Sequence, residues 1–103
     1  MKKLLLRPKA SEDIDEHFLR IAEDNPVVAL EVVASIEEAL KRIQQHPEIG
    51  SPRYASTPLL EGLRMWPLTE FSNYLIFYLE RDDSLEVIRI LYGTRDIPEA
   101  LTD

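Results

Sequence analysis

The positive charge of the second half of the sequence is carried by arginine alone. All four lysines lie within the first 41 residues, and from residue 53 onward every basic residue is an arginine. The five are Arg53, Arg64, Arg81, Arg89 and Arg95. A guanidinium group is planar and pairs with carboxylates or phosphates in fixed, partly buried geometries. These arginines could anchor a macromolecular partner or stabilise the charge of a phosphate, or they could form ordinary salt bridges with the nine acidic residues of the same half.

Arg89 interrupts the apolar segment of residues 85–92. On a strand it would alternate with Val87 and Leu91, which places it within an apolar face. There it would be either a buried charge paired to a carboxylate or an anchor for a partner. Gly93 follows the segment, and glycine permits a sharp turn directly after a strand.

Residue types that perform acid–base or covalent chemistry are scarce. The only histidines, His17 and His46, fall on an acidic helix face and at a helix end, so each is interpreted as solvated or as a local hydrogen-bond partner. No serine lies in a nucleophile-elbow motif, and no glycine-rich loop could cradle a phosphate. The acidic cluster at residues 12–16 fits the first turns of a helix, where the helix dipole favours negative charge. The sequence therefore predicts no catalytic residue, no metal site and no cofactor.

Composition indicates a globular domain with an acidic surface. The 103 residues are 45% hydrophobic and 30% charged, which fits a single domain over residues 1–103. The net charge of -7 disfavours direct, sequence-specific binding to nucleic acid, since domains with that function usually carry a basic patch. The absence of cysteine excludes disulfides and thiolate metal sites.

The apolar runs of the sequence are short. Leu4 to Leu6 follows two lysines, but an export signal needs an apolar run of about seven residues or more. No segment approaches the roughly 20 apolar residues of a membrane span. We therefore expect a cytoplasmic protein without a membrane partner.

Hydrophobic periodicity and turn residues predict an α+β fold of order β-α-α-β-β-β. A helical hairpin is expected because Asn25, a capping residue, and Pro26, suited to the first helical turn, separate two amphipathic segments. The predicted elements are a strand at residues 3–7, a helix capped by Ser11, a helix from Pro26 to about Gln45, and strands at residues 62–68, 73–80 and 85–92. Residues 46–62 are expected to form a surface loop, and residues 81–84 a tight turn. The hairpin would pack on a small antiparallel sheet.

The last two predicted strands are apolar on both faces. In the first of them, the two faces carry Tyr74, Ile76 and Tyr78, and Leu75, Phe77 and Leu79. In the second, they carry Leu85, Val87, Arg89 and Leu91, and Ile88, Ile90 and Tyr92. Two helices can cover only one face of a small sheet, so the other face needs different cover. We expect another protein chain to provide it.

Four segments together resemble the RelE/ParE family of bacterial toxins, the toxic halves of type II toxin–antitoxin pairs. They are LRPKASEDI (residues 6–14), ALKRIQQHPEIGSPR (39–53), GLRMWPLTEFSNYLIFY (62–78) and EVIRILYGTRDI (86–97). Together they span nearly the whole sequence. The resemblance implies the same β-α-α-β-β-β fold. It also implies a cognate antitoxin that shields hydrophobic surface, in a hetero-oligomer such as a heterotetramer.

The ending GTRDI, residues 93–97, resembles the ParE branch, whose members poison DNA gyrase. Members of the RelE branch instead cut messenger RNA on the ribosome, and their pattern would place a second basic residue at Trp66, an arginine at Leu75 and a tyrosine near Leu101. Tyr92 stands where relatives often carry histidine. The resemblance therefore implies a gyrase-directed toxin. A RelE-type, ribosome-dependent endoribonuclease is the alternative, and a non-toxic relative retained for partner binding is a third reading.

Only Arg64 and Arg95 fall at basic positions of the ribonuclease pattern. Arginines can stabilise a phosphorane, but they are too basic to shuttle protons near neutral pH. The candidate residues for binding the target are Arg64, Arg89, Tyr92 and Arg95, and those for binding the antitoxin are Trp66, Leu75, Phe77 and Leu79. A purely local alternative is that Arg95 pairs with Asp96 beside it.

Overall fold

The computed structural model describes residues 1–53 and 58–93, together with Ile97 and Leu101. The elements in chain order are β1 (Lys3–Leu6), α1 (Pro8–Asp24), α2 (Pro26–Gln45), β2 (Ser51–Pro52), β3 (Leu63–Pro67), β4 (Tyr74–Glu80) and β5 (Ser84–Tyr92). Short 3-10 turns at Pro47–Ile49 and Pro58–Leu60 flank β2. The predicted α+β order is confirmed, with β2 added inside the segment that was expected to be a loop.

The five strands form one mixed sheet in the order β1-β5-β4-β3-β2. The meander of β3, β4 and β5 is antiparallel, as predicted. β1, however, pairs in parallel with the first half of β5, with Lys3 opposite Ser84 and Leu6 opposite Val87. A parallel pair needs a long crossover connection, and the helical hairpin begins that connection. The sheet is therefore not purely antiparallel.

The helical hairpin forms where expected, but α1 starts three residues earlier than Ser11. Pro8 takes the first helical position, where its fixed φ suits the helix and its missing N–H is not needed. Asn25 caps α2, because its Oδ1 accepts a hydrogen bond of 3.2 Å from the Val28 N–H, and α2 ends at Gln45 as predicted. Among the described residues, no helix combines the length and apolar composition needed to cross a bilayer.

The sheet separates two hydrophobic clusters. The helix-side cluster joins both helices to residues that include Tyr74, Ile76 and Tyr78. The second-face cluster contains Leu60, Leu63, Leu75, Phe77, Leu79, Ile88, Ile97 and Leu101. Phe77 is only 1% exposed in the isolated chain. The expectation that another chain must cover this face is therefore wrong, because Leu60, Ile97 and Leu101 of the same chain cover it.

A β-bulge in β5 changes the predicted alternation. Phe77 pairs with Arg89 and Tyr78 pairs with Val87, so Ile88 is the extra residue of the bulge. Val87 lies in the helix-side cluster, Ile88 in the second-face cluster, and Ile90 again in the helix-side cluster. The prediction that Ile88 and Ile90 share a face is therefore wrong.

Candidate functional site

Arg89 forms a partly buried, bidentate ion pair with Asp13 of α1. Its Nε donates to Asp13 Oδ2 at 2.7 Å and its Nη2 donates to Oδ1 at 2.8 Å. The exposed fractions of the two side chains are 17% for Arg89 and 5% for Asp13. Such paired, charge-assisted bonds are short and geometrically specific. Of the two alternatives for Arg89, the pairing to a carboxylate is the one that the structure shows, and a role in target binding stays a prediction.

Asp13 and His17 also form hydrogen bonds with backbone groups of β5, on the part of its edge that extends beyond the end of β1. The Ile90 N–H donates to Asp13 Oδ2 at 3.0 Å, and the Ile90 carbonyl accepts from His17 Nε2 at 2.8 Å. The two side chains are four residues apart and so share one face of α1. His17 is 8% exposed. His17 is therefore not solvated: it is a hydrogen-bond partner, locally of Arg20 at 3.4 Å and also of a strand 73 residues away.

Arg64 and Tyr78 hold the turn that follows α2. Arg64 Nη1 donates to the Gly50 carbonyl at 2.6 Å and to the Glu48 carbonyl at 3.3 Å. The Tyr78 hydroxyl donates to the Pro47 carbonyl at 2.6 Å and accepts from the Gly50 N–H at 2.8 Å. Burial raises the pKa of Tyr78, which keeps the hydroxyl protonated as a donor. Both side chains are thus engaged by backbone groups of one turn.

Gly50 is required by this contact. A Cβ at this position would lie 2.5 Å from the Tyr78 hydroxyl oxygen, closer than side chains approach one another. The backbone of the turn can therefore reach Tyr78 only without a side chain. Gly50 lies in the segment ALKRIQQHPEIGSPR, which carried part of the family resemblance.

Comparisons with known proteins identify the family. The family model described as the ParE toxin of the type II toxin-antitoxin system, parDE, matches residues 4–97. The chain belongs to the ParE toxin family. It is thus a ParE-type toxin of a type II toxin–antitoxin system. None of the curated proteins is significantly similar in sequence.

The fold of this ParE-type toxin is also found in a solved structure. A chain of the chromosomal ParDE TA system from P. aeruginosa is similar with a TM-score of 0.73 and 24% sequence identity. The similarity covers 91% of this chain and 98% of the other. At this identity the likeness shows the fold, and it agrees with the RelE/ParE fold implied by the sequence.

Positions where the ribonuclease pattern needs polar groups are apolar in this ParE-type toxin. Leu75 and Leu101 both belong to the second-face cluster and are 8% and 4% exposed. Trp66 is partly buried and packs against the helix-side cluster. These three side chains serve packing, which a basic or hydroxyl group would disturb.

Tyr92 is the exposed member of an aromatic stack at the end of β5. The residue is 55% exposed, and the centre of its ring lies 4.8 Å from that of Tyr74, whose ring in turn contacts His17 edge-on at a centre-to-centre distance of 4.9 Å. The guanidinium carbon of Arg20 lies 5.8 Å from the centre of the Tyr92 ring, within the range of a cation–π contact. Sequence reasoning missed Arg20, because it lies on α1 and Tyr92 lies far from it in the chain. The helical spacing between His17 and Arg20 is the signal that could have linked them.

The predicted target-binding residues do not form one cluster among the residues that the structure describes. Arg64 contacts the turn after α2, whereas Arg89 contacts α1, and β4 lies between their strands. Tyr92 is three residues beyond Arg89, next to Arg20. Arg95 lies outside the described residues, as does Asp96.

The predicted antitoxin-binding residues divide between the two faces of the sheet. Leu75, Phe77 and Leu79 are at most 8% exposed and form part of the second-face cluster. Trp66 instead lines a cleft beside α2 on the helix side. The structure thus leaves Trp66 as the accessible member of this set, and antitoxin binding by any of the four stays a prediction.

Proposed function

We propose that this ParE-type toxin inhibits DNA gyrase in the cytoplasm and is neutralised by a cognate antitoxin in a hetero-oligomer. The match of the ParE family model to residues 4–97 carries the proposal. The ending GTRDI, which resembles the ParE branch, also supports it.

The chemistry of the arginine sites also favours a poison over a nuclease. Cleavage of RNA needs a general base and a general acid close to the group that stabilises the phosphorane. Arg64 Nη1 and the hydroxyl of the nearby Tyr78 are both engaged by backbone atoms of residues 47–50. Arg89 is paired with Asp13. The ribosome-dependent endoribonuclease stays the alternative, because Arg64 and Arg95 match basic positions of that branch.

Expression of the toxin without antitoxin separates the two functions. If gyrase is the target, expression should arrest growth, induce the DNA-damage response and stabilise cleaved gyrase complexes, while bulk messenger RNA stays intact. The measurements are a growth curve, a DNA-damage reporter and northern blots over the first minutes. Ribosome-dependent cuts in messages with no DNA breaks would instead establish the endoribonuclease. Normal growth at a verified protein level would instead indicate that the chain is a non-toxic relative that only binds a partner.

Substitutions at Tyr92 and Arg95 test the target-binding assignment. Tyr92→Ala removes an exposed ring, and a truncated hot-spot residue typically costs about 2 kcal/mol or more of binding, well over tenfold in affinity. We expect Tyr92→Ala or Arg95→Ala to stay folded and antitoxin-competent but to lose toxicity. Arg81→Ala is the matched control, because Arg81 forms a surface pair with Glu86 worth about 0–1 kcal/mol. Full toxicity of both variants, or loss of toxicity only with unfolding, would contradict the assignment.

A further inference from the structure

A cleft lies between α2 and the chain segment that leaves β3. Its volume is about 460 Å³, which falls in the range of about 300–1,000 Å³ common for binding pockets. Trp66 lines it together with the small residues Ala34, Ser35 and Ala39 of α2. Because no bulky α2 side chain stands at those three positions, part of the Trp66 ring stays accessible while the rest packs on the core.

The charged residues of this α2 cleft leave it negative. Glu31, Glu38 and Glu70 supply three carboxylates, and Arg42 is the one basic residue among those lining it. Arg42 lies 3.9 Å from Glu38, one helical turn away, a separation that makes it a weak surface pair. Glu31 and Glu70 have no ion pair within the described part of the chain. The α2 cleft thus combines an aromatic surface with carboxylates that are available to a cation.

We propose that the α2 cleft binds an arginine side chain of the antitoxin. A guanidinium stacks on tryptophan, the best aromatic partner for a cation, and its edge pairs with carboxylates at the same time. The net charge of -7 of the whole chain favours a partner segment of positive charge. This inference rests on the proposed antitoxin partner, but not on gyrase as the target.

Trp66 and the carboxylates together, rather than negative charge alone, determine which side chain should bind in the α2 cleft. A lysine could meet the carboxylates, but its compact ammonium group lacks the flat surface that stacks on Trp66. An acidic segment would face like charges from Glu31 and Glu70. The partner segment is therefore expected to carry at least one arginine.

Fluorescence of Trp66, the only tryptophan of the chain, reports directly on this cleft. The probe is a blocked hexapeptide that alternates arginine and alanine, and the matched probes replace arginine by lysine or by glutamate. We expect a saturable change with the arginine peptide, a weaker affinity for lysine and no binding of the glutamate peptide. The affinity should fall by about tenfold in 1 M salt, where the screening length is about 3 Å.

Three variants locate the binding. Glu31→Gln and Glu70→Gln should each lower the affinity for the arginine peptide by about threefold or more. Trp66→Leu, whose binding is measured by calorimetry because the fluorophore is lost, should lower it by about fivefold. Glu61→Gln is the control, because Glu61 is exposed and does not line the α2 cleft. No saturable signal, equal binding of the glutamate peptide, or an equal loss in Glu61→Gln would overturn the cleft as an arginine site.

The full antitoxin then tests the occupant. With folding verified by thermal melts, Glu31→Gln/Glu70→Gln should weaken binding of the cognate antitoxin by about tenfold. Unchanged antitoxin affinity in a variant that no longer binds the arginine peptide would overturn the antitoxin as occupant. Toxicity assays do not enter this test, so failure of the gyrase proposal would be seen separately.

Discussion

Asp13→Ala is expected to cost about 3–5 kcal/mol of the free energy of unfolding, enough to unfold a domain of marginal stability. The substitution leaves the partly buried guanidinium of Arg89 without its bidentate partner. It also removes the acceptor of the Ile90 N–H at the free edge of β5. Urea unfolding followed by circular dichroism measures the effect.

Neighbouring substitutions separate the ion pair from the surrounding acidic cluster. Asp15→Ala is the matched control, because Asp15 is exposed on the same helix and its loss should change stability by no more than about 0.5 kcal/mol. Replacing both partners, in Asp13→Leu/Arg89→Met, should recover much of the loss, since neither charge of the pair is then left without the other. If Asp13→Ala and Asp15→Ala had equal, small effects, the pair would contribute little.

The same pair governs how experiments on Arg89 are interpreted. Arg89→Ala strands the buried Asp13 carboxylate, so loss of toxicity in this variant could come from unfolding alone. Arg89→Lys keeps the charge but loses the bidentate geometry. Only a variant with a normal melting curve and no toxicity would assign Arg89 to target binding.

The order of the elements could be predicted because local signals mark them. Asn25 and Pro26 fix the start of α2, and the turn at residues 81–84 joins β4 to β5. The parallel pairing of β1 with β5 has no local signal, since the two strands are about 80 residues apart in the chain. The bulge at Ile88 shifts the register of a strand that carries apolar residues on both faces, so alternation could not reveal it.

The sequence allowed the prediction that Arg89 pairs with a carboxylate, but it did not show which carboxylate. Residues 12–16 contain four acidic side chains with similar local chemistry, and only Asp13 is buried. The signal that was missed is spacing: Ala10, Asp13 and His17 are the buried residues of α1 and lie three and four positions apart. A polar residue at a core position of a helix indicates a buried partner more often than a solvated charge.

The expectation of an uncovered sheet face failed for a related reason. The sequence shows that Leu75, Phe77 and Leu79 share a face, but it does not show where the end of the chain returns. Ile97 and Leu101 contact that face although they follow the last strand. Counting only the two long helices as cover therefore underestimated what the chain can bury.

Phe77→Ala should consequently destabilise the toxin in the absence of any partner, by about 3–5 kcal/mol. The ring is 1% exposed and lies inside the second-face cluster, so its removal loses apolar burial and leaves a cavity. Leu101→Ala should cost about 2–5 kcal/mol by the same mechanism. Leu19→Ala, at a position that is 64% exposed on α1, is the control and should change stability by no more than about 0.5 kcal/mol.

Measurements of antitoxin binding distinguish two roles of the second face, as part of the toxin's own core or as an antitoxin-binding surface. If the second face is part of the toxin's own core, Leu101→Ala should lower the midpoint of unfolding of the isolated chain. The affinity for antitoxin, measured well below that midpoint, should then stay unchanged. If the antitoxin instead binds Leu75, Phe77 and Leu79, it must displace Leu101. Leu101→Ala would then raise the affinity, because less of the toxin's own burial is lost on binding. A tighter complex of Leu101→Ala with the antitoxin would thus support the assignment of Leu75, Phe77 and Leu79 to the antitoxin interface.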